Sequence, residues 1–261
     1  MGYKHLLIEK RDDHIAIVTF NRPEQLNRLN SIIMNEIEQI TEDFQKDSDT
    51  RVVIFTGEGE IFSGGADLQE ERPTTTKLET LRDIQRGPRM INKIFMMDQI
   101  TIAAINGDAY GGGCCIATAC DFRIIAENSI CSFPESRIGM NLSWKSLPLV
   151  VHLIGPTFAK EMVILGKFID AQTLLKWGFV SEVVPKERLI ERAIEIAKEY
   201  AEIPPIPTQM IKKSINHIIG ALDQAIMHMD MDQLYLTLQT EDLREALDSF
   251  FSGRKGDFKG N

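Results

Sequence analysis

The chain has 261 residues, 43% of them hydrophobic, which is enough for one sizeable core, and its net charge of −9 at pH 7 lacks the basic footprint of a nucleic-acid binder. No run approaches the ~20 consecutive apolar residues of a membrane span. The N-terminus to Asp13 mixes charged and apolar residues instead of carrying a signal-peptide core, so a cytoplasmic protein with neither membrane nor nucleic acid as partner is expected.

In chain order, Tyr3 to Glu9 and His14 to Phe20 read as a hairpin turning at Arg11-Asp12-Asp13. Asn30-Ser31 is a helix-cap signal ahead of Ile33, Ile37, Ile40 and Phe44 at helical spacing, giving a β-β-α unit. Val52 to Thr56, ending in Gly57, and Thr101 to Ile105, ending in Asn106-Gly107, are short buried strands that run into glycine-rich turns. Phe122 to Ala126, Ile130 to Phe133 and Phe179 to Val184 add further strands, and their alternation with helices indicates an α/β core. Beyond Pro185 the pattern turns helical, first at Leu189, Ala193, Ala197 and Tyr200, then over Ile211 to Ile219 and Ala221 to Leu238. Pro204-Pro205-Ile206-Pro207 punctuates this part and suggests a core over residues 1–200 and a helical region over 201–261.

Three segments can carry chemistry. Ile61-Phe62-Ser63-Gly64-Gly65-Ala66-Asp67-Leu68 places glycines where a backbone must turn tightly or approach a ligand. Gly111-Gly112-Gly113 follows a strand and opens an apolar helix from Cys114 to Cys120, whose first N–H groups can stabilise developing negative charge. The segment around this glycine triplet lacks the spacing of a phosphate-cradling loop. In Phe133-Pro134-Glu135-Ser136-Arg137-Ile138-Gly139 a carboxylate is flanked by apolar residues, a setting that raises a pKa toward the range of a general acid or base. The cysteines, Cys114, Cys115, Cys120 and Cys131, lie in one apolar stretch with no Cys-x-x-Cys pair and no nearby histidine, and read as buried thiols rather than metal ligands or disulfides.

Jointly, these segments resemble the enoyl-CoA hydratase/isomerase, or crotonase, superfamily. The likeness starts at Phe20-Asn21-Arg22-Pro23 and Leu26-Asn27-Arg28-Leu29-Asn30, takes in Phe62-Ser63-Gly64-Gly65-Ala66-Asp67, Gly111-Gly112-Gly113 and Cys120-Asp121-Phe122-Arg123, and continues through Pro134-Glu135 and Gly178-Phe179-Val180 to the tail from Phe250 to Gly260. The resemblance implies a spiral of β-β-α turns followed by a helical region used in a homotrimer or dimer of trimers. It implies an acyl-CoA thioester as substrate, with coenzyme A part of that substrate and no separate cofactor or metal. It also implies an oxyanion hole from the N–H groups of Ala66 and Gly112, where side-chain identity should hardly matter. The acyl-CoA would further meet Leu26, Arg28, Leu29, Asp67, Leu68 and Gly111, and Glu135 would transfer the proton.

Three places depart from the family pattern, one of them Arg28, which stands where the family often has alanine beside the CoA entrance and is either a partner for a CoA phosphate or a plain surface arginine. Hydratases resembling this chain carry a second glutamate just after the glycine triplet, where this chain has Cys115; a single glutamate is enough for an isomerase that lifts a proton from one carbon and returns it to another. Cys115 is therefore either inert packing or a residue with a chemical role of its own. After Gly139, where the family usually has small residues, stands Met140-Asn141-Leu142-Ser143-Trp144-Lys145-Ser146, so Trp144 is expected either to reshape the acyl pocket or to be core packing, and Ser143 or Asn141 to hold water or substrate. Decarboxylation or thioester hydrolysis on the same scaffold, and a silent acyl-CoA binder, are the competing readings.

Overall fold

Half-buried alternation in β1 (Leu6–Lys10) and near-continuous apolar character in β2 (Ile15–Phe20) set an edge strand beside an inner one, joined antiparallel with Leu6 opposite Phe20. The computed structural model describes residues 2–71 and 76–261. The remaining strands are β3 (Val52–Gly57), β4 (Ile61–Ser63), β5 (Ile100–Ile105), β6 (Asp108–Tyr110), β7 (Phe122–Ala126), β8 (Ile130–Ser132), β9 (Ile169–Asp170) and β10 (Glu182–Val184). They form a six-stranded sheet ordered β1-β2-β3-β5-β7-β10 and a four-stranded sheet ordered β4-β6-β8-β9. Successive pairs β3/β4, β5/β6 and β7/β8 each place one strand in either sheet before the chain goes helical, which is the expected β-β-α spiral.

Alternation along the strands divides the core in two. Ile54, Ile102 and Ile124 face Leu189, Ala193 and Ala197 of the helix Leu189–Ala201, whereas Val53, Phe55, Ala103 and Ile105 face the other way, into the main core with Ile33, Ile37 and Phe44 of the helix Ser31–Gln45. Asn30 caps that helix, its side chain accepting from the Ile33 N–H at 3.0 Å.

Two expectations need correction. The strand expected from Phe179 begins only at Glu182, because the Phe179 carbonyl is taken by the buried Arg123 guanidinium at 2.7 Å and leaves the ladder. The continuous helix expected over Ala221 to Leu238 is broken into Gln224–Met227 and Asp230–Thr237; the chain tightens at Met229, whose N–H bonds the Ile226 carbonyl, and Asp230 turns inward. Helix Ser146–Ile164 has the length and mean hydropathy of a membrane span, which no consecutive apolar run had indicated. It is interrupted at Gly155–Pro156 and buries Leu149, Val150, Ile154 and Met162 in the core.

Candidate active site

One cavity of about 350 Å³ gathers Ala66, Asp67, Leu68, Gly111, Gly112, Cys115, Glu135, Ser143 and Trp144, nine of the residues singled out from sequence. Part of its wall comes from the segments that follow β4, β6 and β8 of the four-stranded sheet, where the chain passes toward helices.

Ala66 is set by a parallel bridge to Leu29: the Leu29 N–H donates to the Gly65 carbonyl at 2.8 Å and the Asp67 N–H donates to the Leu29 carbonyl at 3.1 Å. In such a bridge the flanking groups are used, so the N–H of Ala66 itself points away from Leu29. Gly112 is the first residue of the helix Gly112–Ala119, so its N–H has no partner within the helix. The two segments pack closely, since a Cβ on Gly65 would lie 3.3 Å from the Gly112 nitrogen. Cys115 lies one turn beyond Gly112 on the same helix face and is 1% exposed. Burial, reinforced by Glu135, pushes its thiol well up, so the protonated, weakly nucleophilic form prevails at neutral pH.

Glu135 opens the short 3-10 turn Glu135–Ile138 after Pro134. The residue as a whole is half-buried, but its Oε2 is out of solvent and finds no hydrogen-bond partner among the described residues. Burial, only partly offset by a bond from its own backbone N–H, pushes the carboxyl up to about 7, which fits the sequence-based expectation.

The expected indifference to side chain holds poorly at Gly112. A Cβ there would fall 2.4 Å from Cζ3 and 2.9 Å from Cη2 of Trp144, so the indole occupies the space of any larger residue. The expected entrance residues are more scattered. Leu29 is fully buried and contributes its backbone, Leu26 is exposed in the left-handed region at φ 55°, and Arg28 bonds Gln69 at 3.2 Å; none of the three lines the cavity. Asp67 lines it, but its carboxylate is paired with Arg22 at 3.2 Å, and Arg22 also donates to the Arg28 carbonyl at 2.5 Å. Asp67 therefore ties the Ala66 loop to the Leu26–Leu29 segment.

Sequence reasoning missed Gly87, Leu234 and Leu238, which also line the cavity. Gly87-Pro88 lies in the first turn of the helix Arg86–Phe95, where proline is tolerated. Leu234 and Leu238 come from the C-terminal helical region, and no local pattern points from there to the cavity.

The two-sheet α/β spiral thus places the buried Glu135 carboxyl and the start of the helix Gly112–Ala119 on the wall of one cavity. Residues 10–261 match the family model described as enoyl-CoA hydratase/isomerase, and the chain belongs to that family. It is 30% identical to a short-chain-enoyl-CoA hydratase from Clostridium acetobutylicum over 98% of this chain and 97% of the relative. It is also 30% identical to a mitochondrial Delta(3,5)-Delta(2,4)-dienoyl-CoA isomerase from Dictyostelium discoideum, over 99% and 92% of the two chains. Among solved structures, an enoyl-CoA hydratase from Bacillus anthracis superimposes with a TM-score of 0.79 at 32% identity, covering 99% of this chain and 100% of that one.

Proposed function

We propose that this enzyme isomerises the double bond of an enoyl-CoA thioester, with Glu135 carrying the proton. The observation behind this reading is the desolvated Glu135 carboxyl in the same cavity as Ala66 and Gly112. The other carboxylates of the described cavity wall are engaged: Asp67 with Arg22, Glu70 with the Ser31 N–H and hydroxyl, and Asp83 with Arg86. A thioester carbonyl held by the N–H groups of Ala66 and Gly112 would stabilise the dienolate formed when Glu135 takes a proton from the α-carbon. The same carboxyl then returns that proton to the γ-carbon, shifting the double bond without net change in atoms. Coenzyme A enters as part of the substrate, past Leu26 and Arg28.

Hydration is the second reading, favoured by the relatives named as hydratases. The two separate when purified protein is given 2-enoyl-, 3-enoyl-, dienoyl- and malonyl-type CoA thioesters and the products are weighed. Isomerisation leaves mass unchanged with altered absorbance, whereas hydration adds water. Loss of carbon dioxide or release of free CoA would replace the proposal with decarboxylation or hydrolysis, and binding without any product would leave a silent binder.

As part of the same reading, residues 1–200 form the catalytic core and 201–261 assemble a cytoplasmic homotrimer or dimer of trimers. Apolar side chains left in solvent, including Ile206 at 71%, Ile218 at 75% and Leu222 at 82% exposure, support it. Sedimentation analysis of the native protein tests it, and a monomer would refute it.

A further inference from the structure

We propose that Trp144 sets the length of acyl chain this site accepts, admitting short acyl groups and barring long ones, and that Asp230 is a positioning residue that holds Trp144 in place. The inference rests on the acyl-CoA reading above.

The indole bridges two helices. At one end it lies against Gly112; at the other, a Cβ on Gly87 would fall 2.0 Å from Cε2, 2.3 Å from Nε1 and 2.4 Å from Cδ2 of Trp144. A glycine inside a helix costs ~1 kcal/mol relative to alanine, and here the indole is what an alanine would strike. The ring is thus a bar across the cavity from the oxyanion side to the helix Arg86–Phe95. With it in place the cavity measures about 350 Å³, toward the lower end of the ~300–1,000 Å³ of ligand pockets. Leu142 and Leu234 further line it as apolar wall, so what the bar limits is a hydrocarbon chain.

Holding the bar involves strain. Trp144 and Lys145 both adopt left-handed backbone, at φ 62° and 59°, a conformation bulky residues seldom take. Two bonds pin the turn: the Lys145 N–H donates to Asp230 Oδ2 at 2.7 Å, and the Ser146 hydroxyl donates to the Trp144 carbonyl at 3.1 Å. Asp230 is 2% exposed and stands at the start of the helix Asp230–Thr237, the same helix that brings Leu234 to the cavity. The C-terminal helical region thereby fixes both the bar and the wall beside it.

Binding of saturated acyl-CoAs, which lack the double bond on which the chemistry depends, tests this by titration calorimetry with butanoyl-CoA and dodecanoyl-CoA. The parent is expected to bind butanoyl-CoA at least about tenfold tighter than dodecanoyl-CoA. Trp144→Ala should abolish or reverse that ratio, and Asp230→Ala should move it the same way. Asp230→Asn, whose amide oxygen still accepts from the Lys145 N–H, should keep the parent ratio. Should Asp230→Ala fail to fold, Gly87→Ala, which displaces the indole from its other end, takes its place. A parent without length preference, or a Trp144→Ala ratio equal to the parent's, overturns the role of Trp144. A parent ratio retained in Asp230→Ala, or in a folded Gly87→Ala standing in for it, overturns the positioning argument. Failure of the parent to bind any acyl-CoA would instead overturn the functional reading itself.

Discussion

Glu135 stands where a side chain on Gly111 would have to go: a Cβ on Gly111 would lie 2.9 Å from Glu135 Oε1, and Gly111 has φ 48°. Gly111→Ala therefore strains the backbone and pushes the carboxylate off its position. Turnover is expected to fall by about a hundredfold, since a misplaced acid or base loses most of its effect. Thermal melting of the variant, compared with its steady-state rate, separates this from loss of fold.

Glu135→Gln keeps the size of the side chain but removes the base, so kcat should drop ~10²-fold or more while acyl-CoA binding changes little. In the parent, kcat/KM should rise with pH through about 7 and then level off, as the carboxyl there ionises. Activity in the Gln variant within threefold of the parent would remove Glu135 from the mechanism.

The raised carboxyl also has a stability consequence. Its folded-state value of about 7 lies above the ordinary 4.5, so the folded protein holds the proton more tightly than the unfolded chain. That contribution is complete below the ordinary value and is lost as pH rises through the folded one, amounting to about 3 kcal/mol across the window. Glu135→Gln does not titrate, so its melting temperature should gain on the parent's between about pH 5 and about pH 8. Parallel melting curves over that range would contradict the assigned shift.

Cys115 is expected to behave as packing. With its thiol held protonated by burial, Cys115→Ala should keep activity within about threefold, whereas loss of ~10² or more would mark it as a chemical participant. Cys115→Glu should raise hydration of a 2-enoyl-CoA only together with Trp144→Gly, because the indole fills the space beside the same helix face. Product analysis of the single and double variants decides this.

The local signals in the sequence were enough for the strand–helix alternation, the Asn30 cap, the Gly111-Gly112-Gly113 helix start and a glutamate in apolar surroundings, because each is a property of neighbours along the chain. The family resemblance also marked Trp144 as bulk where small residues are usual. Neither could say what that bulk meets. The indole is received by Gly87 and Gly112 on two different helices, and its strained turn is held by Asp230 from a third element distant in sequence. The tertiary structure likewise turned Asp67 toward Arg22, buried Leu29 and took the Phe179 carbonyl out of its strand. Periodicity records which face of an element is apolar; which partner fills that face, and whether a buried polar group is paired, is decided only when distant segments pack against one another.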